Sequence, residues 1–136
     1  MASFTPLIAE HTFNVLINPC KVVSIEPKVF AAELFYNINQ PTKTGAYYEF
    51  EQSPSCGYPQ TITIFDLPAF VTHNDASSDF TVLKSSDGSL VGEYTVTIRS
   101  EVQVPDDYTK STFTPVTGEF QFVIKVKSCI VTSYAV

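Results

Sequence analysis

Apolar and polar residues alternate with a period of two along much of this chain, and the runs are cut by Pro, Gly, Asp and Ser. In 120–127 the pattern is clearest: Phe120, Phe122, Ile124 and Val126 share one face, and Gln121, Val123, Lys125 and Lys127 the other. In 92–99, Tyr94, Val96 and Ile98 face inward while Glu93, Thr95, Thr97 and Arg99 face out. Further strands are predicted at 13–17, 21–25, 46–51, 61–65 and 80–84. The stretch 29–38 has an Ala-Ala-Glu-Leu centre that suits a short helix, but Phe30, Phe35, Tyr36 and Ile38 favour a strand, and strand is the reading adopted. Turns are expected at 40–41, 53–59, 67–68, 85–89 and 105–108. Short strands with turn signals every ten to fifteen residues or so predict an all-β fold, an immunoglobulin-like β-sandwich of about seven short antiparallel strands.

A repeat changes this picture from a domain to a piece of something longer. Residues 13–24 read FNVLINPCKVVS and residues 122–133 read FVIKVKSCIVTS. Aligned without a gap, Phe13, Val15 and Ile17 match Phe122, Ile124 and Val126, and Cys20, Val22 and Ser24 match Cys129, Val131 and Ser133. Cys20 and Cys129 are 109 residues apart, close to the roughly 100 residues of an immunoglobulin-like domain. The chain then divides into 1–19, a strand of a preceding repeat or a donor or linker strand; 20–128, the sandwich; and 129–136, the start of a following repeat or a C-terminal strand. A tandem array explains the echo, and so does a polymer in which the N-terminal strand adds to a neighbour's sheet edge.

Composition narrows the function classes. Hydrophobic residues make up 44% and charged residues 16%, against about 25% charged in an average domain. Thr, Ser, Tyr, Gln and Asn take the place of the missing charge, as on solvated sheet faces. A net charge of −6 with only eight basic residues supports no phosphate-binding stripe, so nucleic acid is not an expected partner. No apolar run approaches the ~20 residues of a spanning helix, and membrane insertion is not expected. The N-terminal MASFTPLIAEHTF has no basic start and too short an apolar run for a signal peptide.

Three cysteines leave one unpaired in an oxidising setting. If Cys20 opens the module, its disulfide partner is Cys56 in the turn SPSCGYPQ, and Cys129 is the inter-repeat cysteine that waits for the next module's counterpart of Cys56. A Cys56–Cys129 bond and three buried thiols remain open as alternatives. No C-x₂₋₄-C pair occurs and neither histidine lies near a cysteine, so no zinc site is expected.

Other chemistry is sparse. His73, beside Asn74 and Asp75, reads as a solvated loop histidine, and His11 stands alone. No Gly-x-Ser-x-Gly, phosphate-cradling glycine loop or His-Glu-x-x-His occurs. Asp75, Asp79, Asp87, Asp106 and Asp107 are scattered over three turns without a calcium-loop spacing, and turn chemistry accounts for them. No cofactor or metal is expected. Tyr47, Tyr48 and Tyr58 are the candidates for stacking on sugar rings, but Tyr48 and Phe50 share a face that reads as core. No asparagine begins an N-x-[ST] sequon.

Gly92-Glu93-Tyr94-Thr95-Val96-Thr97-Ile98, preceded by Asp87-Gly88-Ser89-Leu90, resembles the G-x-Y-x-[VI] strand of cadherin-like and bacterial immunoglobulin-like repeats. The strand Phe120-x-Phe122-x-Ile124-x-Val126 is similar to the last strand of such repeats. The cysteine-bearing echo and the C-G-Y-P turn are similar to tandem repeats of giant surface and secreted fibrous proteins. The resemblance implies that Tyr94 anchors a corner by a hydroxyl-to-backbone bond. The calcium motifs D-x-N-D-N and L-D-R-E are absent, so calcium-stiffened adhesion is not carried over. The expectation is a non-catalytic structural or adhesive module of an extracellular fibre or surface protein. Its partners would be neighbouring copies of the module, or a cell-surface protein or glycan. A ligand-binding module and a virion or tail decoration protein are the alternatives.

Overall fold

Two long strands carry the architecture. In the computed structural model, which describes residues 3–17, 19–107 and 112–129, β8 (Gly92–Asp107) pairs antiparallel with β9 (Thr112–Lys127) over nearly their whole length. β8 extends through Pro105 to Asp107, into the turn expected at 105–108, with a register shift between Pro105 and Asp107; position 108 lies outside the described residues.

The other strands are β1 (Ser24–Phe30), β2 (Glu33–Asn37), β3 (Lys43–Gly45), β4 (Tyr48–Ser53), β5 (Thr61–Phe65), β6 (Val71–Asn74) and β7 (Asp79–Val82). One layer has the order β2–β9–β8–β5. The other is formed by β1–β4 and β3–β7–β6, with β3 and β4 as two halves of one line that bends at Ala46, whose φ is 58°. Tyr48 N–H donates to the Ser78 carbonyl at 3.1 Å, tying β4 to the β6–β7 turn. The fold is thus the expected all-β arrangement, with its sheets packed as a sandwich. It differs in detail: two strands are 16 residues long, and β2 pairs with β9 in parallel.

The stretch 29–38 is neither a helix nor one strand. Ala31 N–H bonds the Tyr47 carbonyl in one layer, and the Ala32 carbonyl accepts from Val123 N–H in the other. The chain changes sheets between two small residues, Ala31 and Ala32. The strand predicted at 21–25 accordingly starts later, at Ser24, and continues to Phe30.

Inward residues from both layers meet between them. Phe80 and Phe122 have ring centroids 4.7 Å apart, and Phe50 and Phe120 5.5 Å. Tyr36, Ile98, Ile124, Val82 and Val96 complete a core with almost no solvent exposure, the dominant favourable term in folding. Where β1 crosses β9, Gly118 is in backbone contact: a Cβ there would overlap the Ile25 carbonyl. Only glycine fits that crossing.

Candidate functional site

Ahead of the sandwich lies an apolar arm. From Ser3 to Ile17 no residue belongs to a strand and all are exposed. Phe13, Val15 and Ile17 are 75%, 72% and 78% exposed, whereas their sequence counterparts Phe122, Ile124 and Val126 are 1%, 0% and 2% exposed. The strand predicted at 13–17 is therefore not formed within this chain. The two copies of one pattern have opposite environments, which places the candidate site in the arm and the junction behind it.

That junction is firmly built. Cys20 and Cys56 form a disulfide with Cα atoms 5.6 Å apart, the pairing expected from the repeat. The bond closes a loop of 36 residues, worth about 3–4 kcal/mol in the chain-entropy account. Tyr58 Oη donates to the Cys20 carbonyl. The Gln52 carboxamide in turn clamps Tyr58, donating to its carbonyl at 2.6 Å and accepting from its N–H at 3.2 Å. Val23 N–H bonds the Ser53 carbonyl at 2.8 Å, and Val22 is buried. The arm thus leaves the sandwich from a fixed point at Cys20. Tyr58, a candidate sugar platform in the sequence, is instead occupied as a strut of this junction; Tyr48 and Phe50 are core, and Tyr47 is exposed.

At the opposite end of the described chain, Cys129 is a free, exposed thiol just beyond β9. Its proposed sequel, Ile130 onward, lies outside the described residues. Tyr94 lies two residues into β8, and its hydroxyl donates to the Leu90 carbonyl at 2.8 Å, the corner implied by the resemblance. Phe70 packs edge-on against the Tyr94 ring at 5.1 Å. Asp87 caps the short helical turn Gly88–Leu90 through Ser89 N–H and Oγ, and those bonds hold its carboxyl below the usual range.

One polar cluster escaped the sequence reading. His73 is not a loop residue: it sits in β6, with its side chain 10% exposed, between the Tyr48 and Phe80 rings. Nδ1 lies 3.0 Å from Asp75 Oδ1 and Nε2 2.9 Å from Tyr48 Oη. With Nδ1–H donating to the carboxylate, Nε2 accepts the hydrogen bond that the Tyr48 hydroxyl donates. Burial lowers the imidazole's proton affinity, opposed by Asp75 and Asp79. Burial also raises that of the Tyr48 hydroxyl, opposed by the hydrogen bond with Ser78. The signal was hidden because VTHN has only one strongly apolar residue.

Among the described residues no group of three or more His, Cys, Asp and Glu side chains is arranged to hold a metal ion, and no helix is long and apolar enough to cross a membrane. Lys125 binds Glu33 at 2.7 Å and lies 3.8 Å from Glu93, and both Lys125 and Lys127 sit over the Phe35 ring, so charge and aromatic contacts close the β2 edge of the sheet.

No family model matches this chain and no curated protein matches it. Among solved structures, the chain is similar to a "putative alpha-galactosidase" from Bacteroides fragilis NCTC 9343, at 14% identity and a TM-score of 0.42. The match covers 82% of this chain and 19% of that one, so the chain spans about a fifth of that protein's length.

Proposed function

We propose that this chain is a non-catalytic structural module of an extracellular fibre or surface protein, joined end to end with like modules. The observation that carries the reading is the cysteine echo. Cys20 closes a disulfide at the head of the sandwich, and Cys129 occupies the same place in the pattern 109 residues later as a free thiol. A disulfide at the module head belongs to an oxidising compartment, as outside the cell. A sandwich whose last strand runs directly to the head of another passes tension along a continuous backbone held by ladder hydrogen bonds.

An antibody raised against this module, applied to native material, tests the reading. Reactive species far larger than 15.0 kDa, seen as beaded fibres on or outside the cell, support it. A reactive species of 15 kDa confined to the cell interior contradicts it.

A further inference from the structure

The echo between the chain ends is longer than the cysteine pattern alone. Residues 3–18, SFTPLIAEHTFNVLIN, align without a gap on residues 112–127, TFTPVTGEFQFVIKVK, and the latter span is β9 from its first residue to its last. Phe-Thr-Pro is identical at 4–6 and 113–115, and Glu10 and Phe13 match Glu119 and Phe122. The inward row of β9 (Val116, Gly118, Phe120, Phe122, Ile124, Val126) has as its counterpart Leu7, Ala9, His11, Phe13, Val15 and Ile17. Every one of these arm residues is exposed. An arm that carries the counterpart of β9's whole inward row, and holds it in water, has a docking place elsewhere.

Resting on the modular reading above, we infer that residues 3–18 are the β9 strand of a neighbouring module that is similar to this one but not identical. In β9's register, Val15 would lie between residues placed like Leu34 and Tyr94, and Ile17 between residues placed like Tyr36 and Gly92. Phe13 would take the position opposite a counterpart of Val96. Glu10 takes the place of Glu119, whose carboxylate binds Arg99 at 2.8 Å, so the partner offers a cation there.

A second copy of this chain is the wrong occupant for two reasons. Its slot between β2 and β8 is filled by its own β9. The fit is also wrong: Ala9 takes the place of Gly118, where a Cβ overlaps the Ile25 carbonyl. His11 takes the place of Phe120, whose ring packs on Phe30, Phe50 and Tyr48. The partner's first strand therefore stands back at Ala9, and its core is more polar beside His11.

The test is a full-length chain in which residues 112–127 are replaced by a second copy of residues 3–18. It is made in two forms: unaltered, and with Ala9→Gly and His11→Phe in the grafted copy. The altered graft is expected to melt in one cooperative transition, with the Cys20–Cys56 bond formed and slow amide exchange along the graft, while residues 3–17 exchange freely in the same molecule. The unaltered graft is expected to melt at least about 10 °C lower. An altered graft that does not fold overturns the assignment of the arm as a β9 strand. Two grafts of equal stability overturn the claim that the partner differs from this chain. Neither result bears on the antibody test of native material, so the two proposals fail separately.

Discussion

The Tyr94 hydroxyl reaches back over the short helical turn to donate to the Leu90 carbonyl at 2.8 Å, fixing the angle at which β8 leaves the turn. The ring itself is held by Phe70. Tyr94→Phe keeps the ring packing and removes only the bond, so a loss of about 1 kcal/mol is expected in urea unfolding, with no change in m-value.

The matched pair Phe13 and Phe122 gives a sharper contrast. Phe122 is buried against Phe80, and Phe122→Ala is expected to cost about 3–5 kcal/mol. Phe13→Ala, at an exposed position of the same pattern, is expected to leave the isolated chain's stability within about 0.5 kcal/mol of the parent. Chemical denaturation of the two variants decides it.

Gly118→Ala puts a methyl group into the Ile25 carbonyl where β1 crosses β9. Backbone on both sides leaves little room to yield, and a loss of about 3 kcal/mol or more is expected. A melting temperature unchanged by this substitution would mean that the crossing is looser than described.

His73 makes stability depend on pH. Its burial, acting against Asp75 and Asp79, holds the folded-state proton affinity below the ordinary histidine value. The unfolded chain therefore takes up the proton first as pH falls through about 6.5, and stability falls with it until the folded imidazole is also protonated. Above that window the contribution is fully present. Denaturation midpoints are expected to drop between about pH 7 and pH 5.5, and His73→Gln is expected to flatten that slope.

The strands that the sequence displayed were those with clean alternation and a core face of Val, Ile and Phe. β5, β8 and β9 could be read directly, and the Tyr48/Phe50 face of β4 emerged as core. β3 and β6 could not, because three and four residues are too few to show a period, and β6 puts the polar His73 on the same face as Val71. They are strands because β7 lies between them and pairs with both. The 29–38 stretch misled because its two halves belong to different sheets. At the candidate site, the repeat located both the disulfide and the arm's apolar row. The match over 3–12 was less visible, since it takes the observed start of β9 at Thr112 to show that the arm equals one whole strand. The Tyr58–Gln52 clamp is a contact between a turn and a strand, and no local pattern announces it.

The central claim is that this module belongs to a chain of modules, and the thiol of Cys129 tests it most directly. Protein from its native source is digested without reduction and its disulfide-linked peptides are identified by mass spectrometry. The account expects Cys20 bonded to Cys56 and Cys129 bonded to a cysteine of a further module, about 36 residues downstream by analogy with the Cys20–Cys56 spacing. Cys129 recovered as a free thiol, or bonded to Cys56, would contradict it.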